Sequence, residues 1–366
     1  MERFWKTTIM VCLLYLASAM VAAPVACVHA ARDAVKLCLE VVIPSLFPFF
    51  VCSNLFIALG AAGLLSRYLS RFMRPLFGVP GGGALAMVLG VISGYPVGAS
   101  CAASLYTSGS CTKTEAERLL TFCNNSGPLF ILGAVGIGML GSQKLGILLY
   151  AAHVGAALLT GLLFRGYGRG GAGSAGTALP PAPAQGMKNA AASVGTAVAD
   201  AVDSIFKVCG FVILFAVFAA ALPAYPGSQF IYALLEITGG IKALLGLQGL
   251  GGMLLPLVSL FLAFSGISVL LQVAGIVMPS GLSVRPYIFG KLTQAALAFG
   301  LTLLLLRLFP VEWQTFAPEA MLLPVPTPRE LFAAAVLSLL WCAVAIGVLV
   351  AAVWVSDWIE RRKKRK

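Results

Sequence analysis

Four stretches of this 366-residue sequence set helix-breaking residues beside polar ones in apolar surroundings. They are Ile43-Pro44-Ser45-Leu46-Phe47-Pro48, Ser93-Gly94-Tyr95-Pro96-Val97-Gly98 and Asn124-Asn125-Ser126-Gly127-Pro128. The fourth comprises Glu236-Ile237-Thr238-Gly239-Gly240 and, later, Ser265-Gly266-Ile267-Ser268. Proline removes a backbone donor and clashes with the preceding turn, while glycine permits the strained backbone that follows. Such a break frees N–H groups at one half-helix end and carbonyls at the other. The N–H end suits a carboxylate or phosphate, and the carbonyl end suits a cation. Paired asparagines add amide groups that are costly to bury unused. A binding role is therefore expected for Asn124, Asn125, Ser126 and Gly127, and next for Ser93, Gly94, Tyr95 and Pro96. Glu236, Thr238, Ser265 and Ser268 are the candidates in the second half. Pro44 and Pro48 read equally well as a kink or as part of a site, since proline and glycine are frequent in membrane helices.

Ionisable residues within membrane segments are functional candidates by default. Glu40, Glu236, Lys207 and Lys291 qualify, with Gln272 and Gln294 as polar neighbours. Glu40 and Lys207 read more simply as interfacial or paired groups, because Asp203 and Lys207 stand four apart on one helical face. Glu236 is the stronger candidate, since Thr238, Gly239 and Gly240 follow it. The nine cysteines are scattered singly, and His29 and His153 have no ligand partners in the sequence. Buried cysteine behaves as a small hydrophobe, so no metal site is assigned. Nothing resembles a nucleophile–base pair, a phosphate loop or a zinc motif. Neither an enzyme nor a bound cofactor is expected, and a coupling ion, Na+ or H+, is left open.

The elements that must position these residues are membrane helices. Hydrophobic residues make up 60% of the chain and charged residues 10%, with a mean hydropathy of +0.96. Soluble domains carry about 25% charged residues. Ten apolar blocks stand near 8–30, 37–62, 84–107, 119–140, 145–164, 204–224, 228–247, 250–278, 286–309 and 330–355. Most approach the roughly 20 helical residues that cross a hydrocarbon core, and the short alternating segments of a barrel are missing. Residues 1–23 resemble a signal peptide, but the apolar run continues to about Ala31, which favours a retained first helix. Two helix starts are well marked, by Thr112 with Glu115 as a capping box and by Thr327, Pro328 and Glu330.

Charge sets the orientation. Six of the basic residues form the terminal run Arg361 to Lys366, which reads as a cytoplasmic anchor for anionic lipid headgroups. It is too short and isolated to suggest nucleic acid. The N-terminus (Arg3, Lys6), 66–75 and 165–190 also carry cationic residues and are expected inside. The loop 310–327 lacks Lys and Arg and carries Glu312 and Glu319, as an external loop can. Three blocks separate residues 75 and 165, and five separate 190 and 361, yet both flanks of each stretch belong inside. One block in each half must therefore enter and return, or fail to cross, and in the second half 250–278 is narrowly favoured over 228–247 as the re-entrant one. The expected fold is an all-α polytopic bundle with about eight crossings plus two re-entrant or broken segments.

The halves also share a pattern. Asp33-Ala34-Val35 recurs as Asp200-Ala201-Val202 at an offset of 167, with charged residues following on the same helical face. Ser93-Gly94 is matched to Ser265-Gly266 after a five-residue insertion. The expected organisation is a first membrane half at 1–164, a flexible Gly/Ala/Pro-rich linker at 165–190, and a second half at 191–310. An external loop, final helix and basic tail follow at 311–366. Oppositely running halves with interrupted helices describe the inverted repeat of many secondary transporters.

At IPSLFPFF (43–50), SGYPVGA (93–99), FCNNSGPLFILGAVG (122–136) and LEITGGI (235–241) the chain resembles the YlbJ-type sporulation integral membrane proteins of spore-forming Firmicutes. That family carries the nucleoside recognition, or Gate, domain and is distantly related to concentrative nucleoside transporters. The resemblance implies a transporter-like protein acting in sporulation, with dipicolinic acid, moved into the forespore across its outer membrane, as the proposed solute. By resemblance Ser93, Gly94, Tyr95, Pro96, Asn124, Asn125, Ser126 and Gly127 would line the site. Both termini would face the mother cell. The domain name does not establish a nucleoside substrate. A nucleoside transporter and a non-transporting scaffold or sensor working through its basic tail remain alternatives, and oligomerisation is left open.

Overall fold

The computed structural model describes residues 2–58, 72–107, 109–168, 190–222, 227–247 and 249–310. Most of the expected linker, the external loop, the start at Thr327, the final helix and the basic tail lie outside the described residues.

All regular structure among the described residues is helical. Helices α1 (Glu2–Ala22) and α2 (Pro24–Leu37) replace the expected first span, and they meet at 109°. Pro24 opens α2 and has no N–H to give to the preceding turn, so the helix cannot run straight through. The prolines of the first candidate break act differently. A π-helical turn over Cys38–Val42 leads into α3 (Ile43–Ala58), which contains Pro48. The helix goes on through both prolines, so this stretch does not interrupt the chain as the other candidates do.

After a short helix α4 at 72–77, α5 (Gly83–Ile92) and α6 (Val97–Thr107) lie side by side around Ser93–Pro96. At 1.5 Å per residue each arm is about 15 Å long, half a hydrocarbon core. The arms touch through glycines. A Cβ on Gly90 would sit 3.1 Å from the Gly98 Cα and 1.5 Å from the Cys123 carbonyl oxygen, and one on Gly98 would sit 2.1 Å from that same oxygen. Only two glycines let this hairpin grip the backbone just ahead of Asn124.

Helix α7 (Lys113–Leu120) begins with the expected capping box: the Glu115 N–H donates to Thr112 Oγ1 at 3.3 Å, and the Thr112 N–H donates to Glu115 Oε2 at 2.9 Å. The chain then unwinds over residues 121–127 and resumes as a π-helical segment, Leu129–Met139, before α8 (Gln143–Leu163).

The second half follows the same order. After α9 (Ala190–Ala220), α10 (Ser228–Leu235) and α11 (Ile237–Leu245) form a hairpin around Glu236. A Cβ on Gly240 would reach to 2.1 Å from the Ala233 Cα. Helices α12 (Leu254–Phe264) and α13 (Gly266–Val277) form one long span interrupted at Ser265, and α14 (Arg285–Leu308) closes the half.

Two expectations are thereby corrected. Residues 250–278 do not fold back: Gly251–Val277 is a long apolar span, and the hairpin is at 228–245. Nor is Ser93-Gly94 the counterpart of Ser265-Gly266. The former tips a hairpin and the latter interrupts a span, so the two identities sit in different kinds of break. Small residues serve both kinds of break, and a two-residue identity does not tell them apart.

Four described helical stretches are long and apolar enough to cross a membrane: Gln143–Gly166, Val194–Ala220, Gly251–Val277 and Arg285–Leu308. The bent pair makes a fifth if it counts as one span. Counterparts pack on each other, α2 and α3 on α9 and α8 on α14. In the first contact Ala34, Cys38 and Val42 share one core with Ala201, Ile205 and Cys209, which repeats the offset of 167 within the buried face. At one end of the bundle the Arg118 guanidinium donates to the carbonyls of Gly78 and Tyr167, and Glu117 accepts from the Ser283 N–H at 3.0 Å and the Tyr167 hydroxyl at 3.3 Å. The first residues of the expected linker are thus fastened to α7.

Candidate functional site

The four interruptions arrive at one place. A cleft is lined by Ser93, Gly94 and Tyr95 from the first hairpin and by Ser126 and Gly127 from the interrupted stretch after α7, the first interrupted span. Glu236 and Thr238 face it from the second hairpin, and Ser268 and Gln272 from the second interrupted span. Apolar side chains of the packed pair α3 and α9, such as Phe50 and Phe211, complete the wall. Hydroxyls, one carboxylate and one amide thus sit in an apolar frame, which is the usual make-up of a small-molecule site.

Tyr95 ties three of the four elements together. Its hydroxyl donates towards Ser265 Oγ at 2.6 Å, with the Leu262 carbonyl at 3.2 Å, and accepts from Ser126 Oγ at 2.9 Å. The Tyr95–Pro96 peptide bond is cis. Ser265 holds φ at +76°, a left-handed conformation uncommon for a non-glycine residue, while it faces that hydroxyl.

Glu236 ends α10 and caps α11. Its carboxylate oxygens accept the N–H groups of Thr238 at 2.9 Å and Gly239 at 2.7 Å. The positive end of the helix dipole therefore meets the carboxylate, and Glu236 remains on the cleft wall.

Behind Ser126 the two asparagines are fully engaged in a buried network. Asn124 accepts from the Ala99 N–H at 3.3 Å and donates to the Tyr287 hydroxyl at 3.2 Å, and its carbonyl accepts from Lys291 Nζ at 3.0 Å. Lys291 also donates to Gln294 Oε1 at 2.8 Å. Gln294 Nε2 donates to Asn125 Oδ1 at 2.8 Å, and Asn125 Nδ2 to the Phe122 carbonyl at 2.7 Å. The Ser126 N–H donates to His153 Nε2 at 3.2 Å. The network supplies side-chain partners for the unwound backbone at Asn124 and Ser126.

Of the residues expected at a site, Ser93, Gly94, Tyr95, Ser126, Gly127, Glu236, Thr238 and Ser268 meet on the cleft. Asn124, Asn125 and Ser265 stand one layer behind it, holding those that face it, and Pro96 is off the wall. Glu40 and Lys207 lie elsewhere: Glu40 is 3.8 Å from Lys36, and Lys207 is 2.5 Å from Asp203, all exposed on the bundle surface. Lys291 and Gln294, flagged only as polar membrane residues, prove central to the network. His153 and Tyr287 were given no role by the sequence, since neither stands near a break. Among the described residues no three His, Cys, Asp or Glu side chains cluster as a metal site would need.

A family model described as "Gate: Nucleoside recognition" matches residues 39–143, which contain the first hairpin and the first interrupted span. The sporulation integral membrane protein YlbJ of Bacillus subtilis (strain 168) is 32% identical over 336 residues, covering 82% of each chain. The chain belongs to this family. It is an integral membrane protein of the YlbJ family of sporulation proteins. No solved structure matches the chain significantly.

Proposed function

We propose that this YlbJ-family protein is a carrier that moves a small polar solute through the cleft where its two hairpins and two interrupted spans meet. The observation that carries the proposal is this convergence: one interruption from each of four elements, in two matched sets, opening on a single cleft. Carriers with interrupted helices place their sites at such a meeting of half-helices. The two sets are best read as an inverted repeat within halves at 1–164 and 191–310, joined by the 165–190 linker. The shared core at offset 167 and the pairing of α8 with α14 favour that reading. The short hairpins fit the two re-entrant segments that the charge pattern demands. About eight crossings, with both termini on the mother-cell side, then complete the topology.

The solute we favour is dipicolinic acid, carried into the forespore across its outer membrane during sporulation. Ser93, Thr238 and Ser268 bring hydroxyls to the cleft wall, where its carboxylates would lie. Glu236 opposes a dianion, although two backbone N–H groups already offset its charge. That carboxylate, with hydroxyls around it, also suits a sugar hydroxyl pair, so a nucleoside is the second reading. The test is the dipicolinate content of spores from a strain lacking the protein, complemented with the natural sequence, Ser126→Ala or Glu236→Gln. Dipicolinate should fall in the deletion strain and return only with the natural sequence. Normal dipicolinate in the deletion strain would end this assignment and move the test to nucleoside uptake.

A further inference from the structure

Four charged side chains stand at a depth where a membrane helix should be apolar. Val194–Ala220 of α9 is one of the long apolar stretches, and Lys207 is its middle residue, thirteen from each end. Thirteen residues of helix rise about 20 Å, more than half a hydrocarbon core. Asp203 stands one turn before it. Helix α2 and the π-helical turn after it pack on α9 here: Ala34, Cys38 and Val42 share a core with Ala201, Ile205 and Cys209. Lys36 and Glu40 fall between the buried positions of the first set, and Asp203 and Lys207 between those of the second. Each is two residues, about 200° of helical turn, from a buried neighbour. The charges therefore point away from the seam, on opposite outer sides of the helix pair. All four side chains are between 62% and 68% exposed.

Each charge has a partner in its own helix, Lys36 with Glu40 at 3.8 Å and Lys207 with Asp203 at 2.5 Å. One ion pair does not use up three ammonium N–H groups and two carboxylate oxygens, and hydrocarbon offers the rest no partner. Charged groups at this depth ordinarily face protein or water. At the offset of 167 Lys36 corresponds to Asp203 and Glu40 to Lys207, so the two outer faces match in position and are opposite in sign. We propose that the outer face of α2 binds the outer face of α9 on a second copy of this chain, with Glu40 of one copy paired to Lys207 of the next. Rotation about the membrane normal preserves depth, so residues at the same level meet, and a head-to-tail contact of this kind can close into a ring. A foreign partner would cover one face and leave the other bare, whereas a copy of the chain covers both. The final helix expected at 330–355 brings no charge to either face, since no Asp, Glu, Lys or Arg stands between Leu331 and Val355. The inference depends neither on the solute nor on transport through the cleft.

The test is the molar mass of the purified full-length protein in mild detergent, measured by light scattering after size exclusion. The natural sequence should elute with the mass of two or more chains. Lys36→Glu with Glu40→Lys inverts the α2 face, keeps its internal ion pair and leaves the net charge unchanged. That variant should elute as a single chain, and so should Asp203→Lys with Lys207→Glu. All four reversals together restore opposite signs across the contact and should restore the assembly, which general damage to the fold would not do. A natural protein of single-chain mass overturns the inference. So does an assembly that the double reversals leave intact, or a fourfold variant that stays a single chain. If the reversed variants are not recovered, Glu40→Cys with Lys207→Cys decides. Copper phenanthroline should then join chains on a denaturing gel beyond any linkage through the natural cysteines, and a pattern unchanged from the natural protein sinks the inference.

Discussion

Two regions of the bundle, residues 83–139 and 228–277, each carry a helical hairpin followed by an interrupted stretch, and they hold these open by different means. In the first half the span unwinds over several residues and is pinned by side-chain amides, with Asn125 bonded to Gln294 and Asn124 to Tyr287. In the second half the interruption is one strained residue, Ser265 at φ +76°, between two helices that otherwise continue. The hairpins differ as well. The first is tipped by Tyr95, which reaches out to both interrupted spans, whereas the second is tipped by Glu236, which satisfies its own helix. One architecture is thus maintained by a distributed polar network on one side and by local backbone strain and self-capping on the other. Mutations should act accordingly.

The largest effect should come from adding a single methyl group to the first hairpin. Gly90→Ala would place a carbon 1.5 Å from the Cys123 carbonyl oxygen, so hairpin and unwound segment cannot both stay in place. We expect a loss of about 3 kcal/mol or more, seen as failure to recover monodisperse protein by size-exclusion chromatography. Gly240→Ala, 2.1 Å from the Ala233 Cα, should be almost as damaging. If it is tolerated, the second hairpin is looser than the first and the contrast between the halves grows.

Next in size is the amide network. Asn125→Leu leaves the Gln294 amide without its 2.8 Å acceptor in a buried site, at a cost of about 1–3 kcal/mol of stability, read as a lower unfolding midpoint. Because the two residues touch, adding Gln294→Leu should cost less than the sum of the single changes, and strict additivity would show that the network is not a unit.

A smaller effect, of opposite sign, is expected at the strained residue. Ser265→Gly removes a left-handed conformation worth about 1 kcal/mol, against the loss of the Tyr95 hydrogen bond. The midpoint should change little or rise slightly, while complementation of spore dipicolinate falls. A variant with full complementation would mean that the strain has no part in function. Smallest of all should be Gly275→Ala in α13, where a Cβ meets nothing within 4 Å. It should be neutral or stabilise the protein by up to about 1 kcal/mol, by helix propensity alone, seen as a slightly higher midpoint.

Much of this was legible in the chain, and the reason is locality. Hydrophobic blocks, prolines, glycines and the Thr112–Glu115 cap each act within a few residues, so the all-helical class, the interruptions and the start of α7 follow from short windows of sequence. The local rules also account for the failures. Pro44 and Pro48 carry the same breaking chemistry as the other stretches, yet a π-helical turn carries the helix past them, which depends on packing against α9.

The sequence by itself determined that this is a membrane protein with interrupted helices, because hydropathy and backbone chemistry are properties of single residues and their near neighbours. Only the tertiary structure decided which interruptions fold back and which continue, and that 228–245 rather than 250–278 forms the second hairpin. It also decided the partners: Ser126 meets His153 across 27 residues, and Asn124 meets Lys291 across 167. No periodicity encodes such distances. They are set by the glycine contacts between helices and by the requirement that every buried polar group find a partner inside the bilayer.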